Sequence, residues 1–202
     1  MKNIFFSLFF SLGATVVAIA QPVTQVSLDY SIGFPGSTRF SNFVGGTTFT
    51  GFNFSAIRYI NDNWGFGGSI GWNDFYEKDV YTTYNLNENV AVTGTFRKSA
   101  YFTPVTFNTR YRFVNTSKFE ASAGVDLGLY FMRQQLQVSI YYDEEAPTKF
   151  GLAPNLGFMY KINHKLGIQA RGRYHVVVDG ATAFIDNANY SSVDVGLVFI
   201  SF

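Results

Sequence analysis

Between Phe150 and Val178 the side chains alternate in character on both sides of one short turn, and little else in the chain limits its fold so strongly. On the first arm Phe150, Leu152, Pro154, Leu156, Phe158, Tyr160 and Ile162 share one face, against Gly151, Ala153, Asn155, Gly157, Met159 and Lys161 on the other. After Asn163-His164-Lys165 the pattern restarts: Leu166, Ile168, Ala170, Tyr174, Val176 and Val178 oppose Gly167, Gln169, Arg171, Arg173 and His175. A period of two is that of a β-strand. A half-buried soluble sheet also alternates, but it has no need of arms of about a dozen residues with a confined face carrying Gln169, Arg171, Arg173 and His175. A strand crossing a bilayer needs about 9 to 11 residues, apolar toward lipid and polar toward a lumen. The two arms are therefore expected to form a transmembrane hairpin.

The first 20 residues read as a secretory signal: Lys2, an apolar run from Ile4 to Ile19, and Ala18-Ile19-Ala20 before Gln21. Residues 21–202 are then the expected barrel domain. The sequence has no Cys, so neither a lipidated cysteine nor a disulfide scaffold is available. Of 15 Lys+Arg only Lys2 falls in the leader, which leaves 14 basic against 14 acidic residues and argues against nucleic acid as a partner. Aromatics at 19% together with 19 Gly suit interfacial aromatic belts around a crowded lumen. After the leader no apolar stretch is long enough for a spanning helix, and only helices or closed barrels satisfy their backbone in lipid.

Further strands follow the same rule. Strand one (about 26–34) sets Val26, Leu28, Tyr30, Ile32 and Phe34 outward, with Ser27, Asp29 and Ser31 inward, and a polar loop continues to about Thr48. Strand two (about 49–60) puts Arg58 on its outward face near a strand end, where Arg can snorkel. Strand three sets Trp64, Phe66, Ile70, Trp72 and Tyr76 outward, with Asn73 and Glu77 inward, and a long segment from about 78 to 98 has Asn87-Glu88-Asn89 as its expected tip. Strand four (about 99–113) turns Phe102, Thr106, Asn108, Arg110 and Arg112 inward, though Pro104 counts against a central strand. Strand five turns Glu120, Ser122, Asp126 and Tyr130 inward.

Beyond Met132 the apolar parity inverts. Leu136, Val138, Ile140 and Tyr142 fall on the former lumen side, while Arg133, Gln135, Gln137 and Ser139 face out. Either the strand has left the lipid and meets water on its outer face, or a β-bulge has shifted its register. In the first case the four apolar residues line a candidate extracellular pocket. The last strand, ending at Phe202, is apolar on both faces, and Asp194 fits neither parity.

The result is an all-β, eight-stranded, antiparallel up-and-down transmembrane β-barrel, with short turns at 61–63, 114–117 and 163–165 and longer connections at the other rim. In this pattern, and in the alternating Val198, Ile200 and Phe202 at the C-terminal end, the chain resembles the small eight-stranded outer-membrane barrels of the OmpA-like, OmpX-like and OmpW-like group. The resemblance implies residence in a bacterial outer membrane with periplasmic termini, contact with outer-membrane lipid, and insertion by the barrel-assembly machinery that reads the C-terminal strand. It does not carry a function, which varies across such barrels.

The inward charges Asp29, Arg110, Arg112, Glu120, Asp126, Lys161, Arg171 and Arg173, with His175, form the candidate lumen polar network. An eight-stranded barrel is just wide enough for side chains to fill it, so pairing that plugs the lumen is the expectation and a narrow conduit the alternative. Two distant His without Cys make no metal site, and no Ser lies near His175 in sequence, so neither cofactor nor catalytic site is expected. Three functions stay open: a non-enzymatic barrel with a structural or surface-interaction role toward an extracellular ligand or protein, a conduit or binder for a small apolar molecule, and a secreted lipocalin-like barrel.

Overall fold

The structure, a computed structural model, describes residues 23–87, 90–138, 141–178, 185 and 188–201. The expected leader 1–20, Glu88 and Asn89 of the expected tip, Ser139, Ile140 and Phe202 lie outside the described residues. The elements are β1 (Thr24–Pro35), α1 (Thr38–Val44), β2 (Gly51–Tyr59), β3 (Trp64–Asn87), β4 (Val90–Asn115), β5 (Phe119–Val138), β6 (Tyr141–Glu145), β7 (Thr148–Lys161), β8 (Leu166–Val177) and β9 (Tyr190–Ser201). All strand pairs are antiparallel. The order β4-β3-β2-β1-β9-β8-β7-β5, closed by the β4–β5 pairing, makes a barrel of eight staves.

β6 and β7 are one physical stave. Gln134 pairs with Glu145 and Phe131 with Thr148, so the register against β5 is the same on both sides of Ala146-Pro147. The Met132 amide still donates to the Pro147 carbonyl at 3.0 Å. Pro147 has no N–H to return, and the ladder breaks there.

Alternation decides which way each side chain points. Leu28, Phe54, Ile70, Phe107, Leu129, Phe158, Ile168 and Leu197 form part of an exposed apolar belt, while Asp29, Asn53, Asn108, Asp126, Asn155 and Arg171 are buried inside. A lipocalin-like barrel would have its apolar face inside, so this polarity is the reverse of that alternative. The parity of β9 is also settled: Val193, Val195, Leu197 and Phe199 are exposed, whereas Ser192, Asp194, Val198 and Ile200 are buried. Trp64 and Tyr111 pack at 5.0 Å toward the short-turn rim, and Trp72 and Tyr101 at 5.7 Å toward the other. These pairs mark the two edges of the belt.

Three expectations need correction. Pro104 sits within an interior stave: the β3–β4 register passes from Ile70↔Val105 to Asn73↔Phe102 and leaves Gly71-Trp72 unpaired opposite Thr103-Pro104. A Cβ on Gly71 would lie 3.1 Å from the Pro104 ring, so the glycine gives the ring its room. The segment 78–98 is not a loop, because β3 and β4 run on as a paired ladder as far as Asn87↔Val90. The polar connection after Pro35 contains α1, capped by Ser37, whose Oγ accepts from the Phe40 amide at 3.2 Å. The helix ends at Gly45, in the left-handed region at φ 54, where a Cβ would also meet the Glu77 carboxyl.

Candidate functional site

The lumen is filled in layers. At the short-turn rim Arg112 Nε lies 3.1 Å from Glu120 Oε2, its guanidinium stacks over the Tyr59 ring, and the Gln25 amide donates to Glu120 at 3.0 Å. Lys161 stands at the edge of this layer, half-buried, and donates to Asn115 Oδ1 at 2.7 Å and to the Thr116 carbonyl at 2.9 Å. It therefore ties down a turn rather than entering the charge network. Met159, Val198 and Ile200 form an apolar cluster at this end, with Val23 against them.

In the middle layer Arg173 is paired with Asp126 at 3.1 Å and with Asp194. The Asn155 amide donates to Asp126 at 3.1 Å, and its oxygen accepts from Arg171 Nη1 at 2.8 Å. The Gln169 amide reaches both oxygens of Asp29 at 2.7 and 2.9 Å, and Ser27 donates to Asp29 at 3.0 Å. A lumen closed by ion pairs would set Arg171 against a carboxylate, but it bonds an amide oxygen while its Nε lacks a hydrogen-bond partner. Arg110 is likewise buried with an unbonded Nε. Of the nine residues expected in the lumen network eight are buried, Lys161 being the one that is not.

Asp194 is the member that the sequence left unplaced. A signal was present, since Ser192, Asp194 and Gly196 form a small and polar run on one parity of β9, but Val198, Ile200 and Phe202 on the same parity obscured it. Of the alternating C-terminal series Val198 and Ile200 point inward and Phe202 lies outside the described residues, while the outward residues of this strand end are Leu197 and Phe199.

Above the charges lies a dry cap. Phe40 and Val44 of α1 enter the mouth and meet Phe75, Phe102, Tyr130, Met132, Val177, Ile185, Ala188 and Tyr190, all buried. Phe40 packs at 5.0 Å on Phe75 and 5.5 Å on Phe102, and Tyr190 at 4.9 Å on Phe102. His175 lies just beneath, stacked on Tyr190 at 4.1 Å, with Nδ1 2.9 Å from the Tyr130 hydroxyl and Nε2 3.1 Å from Ser192 Oγ. A Ser and a His thus do meet, but both are buried, beneath the aromatic residues of the cap. Among the described residues no cluster of His, Asp or Glu could hold a metal ion.

Past the lid, the staves continue unequally. β2 enters its ladder at Gly51↔Asn73 and β8 leaves its own at Gly151↔Val177, whereas β3, β4, β5 and β6 go on. The result is a four-stranded sheet standing on one side of the rim. At about 3.3 Å per residue, the stretch of β3 from Asp74 to Asn87 adds about 40 Å of strand. Its two outer edges, β3 beyond Asp74 and β6, have no strand beside them among the described residues.

The inversion at Met132 has its cause here. The β4–β5 register is unbroken from Arg112↔Ser122 up to Phe96↔Val138, so no bulge shifts it. Met132 and Gln134 remain buried, while Arg133 and Gln135 turn outward to Glu144, with Arg133 Nε at 3.4 Å and the Gln135 amide at 3.1 Å. The expected pocket is not assembled as a set. Tyr142 is the register partner of Gln137, on the outer face and 56% exposed, because the turn into β6 reverses the count; Leu136 faces the other way, paired with Asp143. The side chain of Val138 lies outside the described residues, as does Ile140.

No family model matches the chain, and no curated protein matches it in sequence. Solved structures do match in shape. Ail, the attachment invasion locus protein of Yersinia pestis, in complex with the heparin analogue sucrose octasulfate, superposes with a TM-score of 0.54 at 13% identity, covering 90% of this chain and 100% of that one. Neisserial surface protein A superposes with a TM-score of 0.53 at 17% identity, covering 88% and 96%. The chain therefore has the fold of the small eight-stranded outer-membrane barrels.

Proposed function

We propose that the chain is an integral barrel of a bacterial outer membrane whose work is surface interaction rather than transport or catalysis. The short turns and both termini face the periplasm, and the sheet formed by β3, β4, β5 and β6 stands in the extracellular medium. The observation that carries this reading is a sheet whose two edges have no strand beside them among the described residues, above a lumen crossed by ion pairs and capped by aromatic side chains. Unpaired edges offer N–H and C=O groups to an extended segment of a partner protein, which adds as a further strand. The match in fold to an attachment invasion locus protein and to a neisserial surface protein supports the placement.

The test replaces residues 82–95 and 135–147 with short polar turns. The shortened protein is expected to insert and keep a gel mobility that changes on boiling, while cells displaying it lose adhesion to host-cell or bacterial surfaces. Unchanged binding after both replacements would defeat the proposal.

A further inference from the structure

The outer face of the staves changes chemistry within one row. Trp72, Thr103 and Phe131 lie side by side at the top of the apolar belt. The next residues up on the outer faces of β4 and β5 are Tyr101 and Arg133, which are direct register partners. Two rows higher, Lys78 and Arg97 stand directly opposite one another, both exposed. Like charges directly opposite destabilise a ladder. The register itself does not force the clash, since the adjacent pair on the inner face is Glu77 opposite Lys98.

Beside the break at Ala146-Pro147 this same face is notched. The recess has a volume of about 580 Å³ and is lined by Trp72, Tyr101, Phe131, Arg133 and Gln135, with Ala146 at its edge. Its floor is aromatic and its one cationic lining residue is Arg133, while Lys78 and Arg97 stand above the recess on the same face. The Arg133 side chain is 59% exposed even though its Nε meets Glu144. Among the described residues the acidic groups on the outer faces here are Glu144 and the half-buried Asp74, against the three cations Lys78, Arg97 and Arg133. A soluble anion would leave the aromatic floor bare, and a neutral lipid would leave the cations unanswered. An amphiphile with an anionic head fits both surfaces.

We infer that this recess is a binding site for a phosphorylated lipid of the leaflet around the barrel, with acyl chain over Trp72 and Phe131, phosphate on Arg133, and the Lys78–Arg97 pair above adding positive potential to the headgroup. Arg binds phosphate through paired N–H donors, and a cationic row at headgroup height gains from the anionic surface. The site rests on the membrane placement proposed above, but not on any protein partner of the sheet.

The experiment titrates phosphatidic acid and phosphatidylcholine into the full-length protein in mild detergent and counts bound lipid by native mass spectrometry. The wild type should prefer phosphatidic acid by about tenfold, the ratio that corresponds to about 1.4 kcal/mol. Arg133→Gln and the double variant Lys78→Gln/Arg97→Gln should each bring the preference close to unity. Arg58→Gln, an exposed outward arginine at the opposite rim, should leave it unchanged. Equal binding of the two lipids by the wild type, retention of the preference in Arg133→Gln, or displacement of the lipid by millimolar inorganic phosphate would each overturn the inference. A barrel that inserts into vesicles yet shows no lipid preference sinks this site alone, whereas one that does not insert sinks the proposed function.

Discussion

The register sets Arg171 of β8 directly opposite Asp194 of β9, yet Asp194 bonds diagonally to Arg173, one row up on the same stave. Arg173 is thereby held between two carboxylates, because its Nε also reaches Asp126 across the lumen on β5. Asp194→Asn leaves Arg173 its second carboxylate and should therefore cost about 2 kcal/mol, less than the full penalty for a buried charge stripped of every partner. The measurement is the urea midpoint of the detergent-solubilised barrel, and an unshifted midpoint would mean that the pair carries no stability.

Arg171 should behave in the opposite way. It is bonded to the Asn155 oxygen rather than a carboxylate, and Gly157 leaves it space, since a Cβ there would lie 2.8 Å from the guanidinium. Replacing a buried, incompletely bonded charge with an apolar chain of similar length is neutral or stabilising in comparable cases. Arg171→Met is expected within about 1 kcal/mol of wild type while Arg173→Met loses several; equal losses in the same urea titration would refute the distinction.

Most of this architecture could be read from alternation, and the failures share a physical origin. Parity places a side chain on a face but says little of which neighbour it meets: the pairing of inward Arg173 with a carboxylate such as Asp126 is legible, whereas the bond of Arg171 to Asn155 and the share of Asp194 in Arg173 are not. Parity also fails where both faces of a strand are apolar. That is the case on β9, where Val198 and Ile200 join the apolar cluster at one end of the lumen while Leu197 and Phe199 belong to the outer belt. Phe75 was passed over because an aromatic side chain between Asn73 and Glu77 looks out of place on a polar inner face. Its reason for being there is the cap, which needs Phe40 from a helix whose only local sign is Ser37 ahead of a short turn of chain.

The cap gives a third prediction. Phe40 is fully buried between Phe75 and Phe102, and truncating such a ring costs about 3 to 5 kcal/mol. Phe40→Ala should raise hydrogen exchange across 37–45 while the barrel amides stay protected. In planar bilayers neither wild type nor variant should conduct steadily, because the Arg173 layer closes the lumen beneath the cap; steady ion-selective current through the wild type would contradict this.

A fourth concerns pH at the sheet. The Tyr142 hydroxyl holds the Glu144 carboxyl below its ordinary range, helped by the Gln135 amide and the Arg133 charge, and the same bond raises the Tyr142 hydroxyl. A lowered carboxyl contributes above the ordinary Glu value and is lost as pH falls through the depressed one; a raised phenol contributes below the ordinary Tyr value and is lost as pH climbs past the elevated one. The β5–β6 hairpin should thus be firmest between the two ordinary values, 4.5 and 10.0. Exchange rates of the 134–145 amides, corrected for intrinsic pH dependence, check this, and Glu144→Gln should flatten the acid side of the profile.

The missing N–H of Pro147 separates two kinds of change that a continuous stave would couple. Below it, β7 must keep its count of residues or every side chain exchanges belt for lumen; above it, β6 answers only to β5. Length and composition of the outer hairpin can then drift, or be replaced by a foreign segment, with no change to the tilt or closure of the wall. A barrel with such a seam keeps its inside constant while its surface face is free to vary.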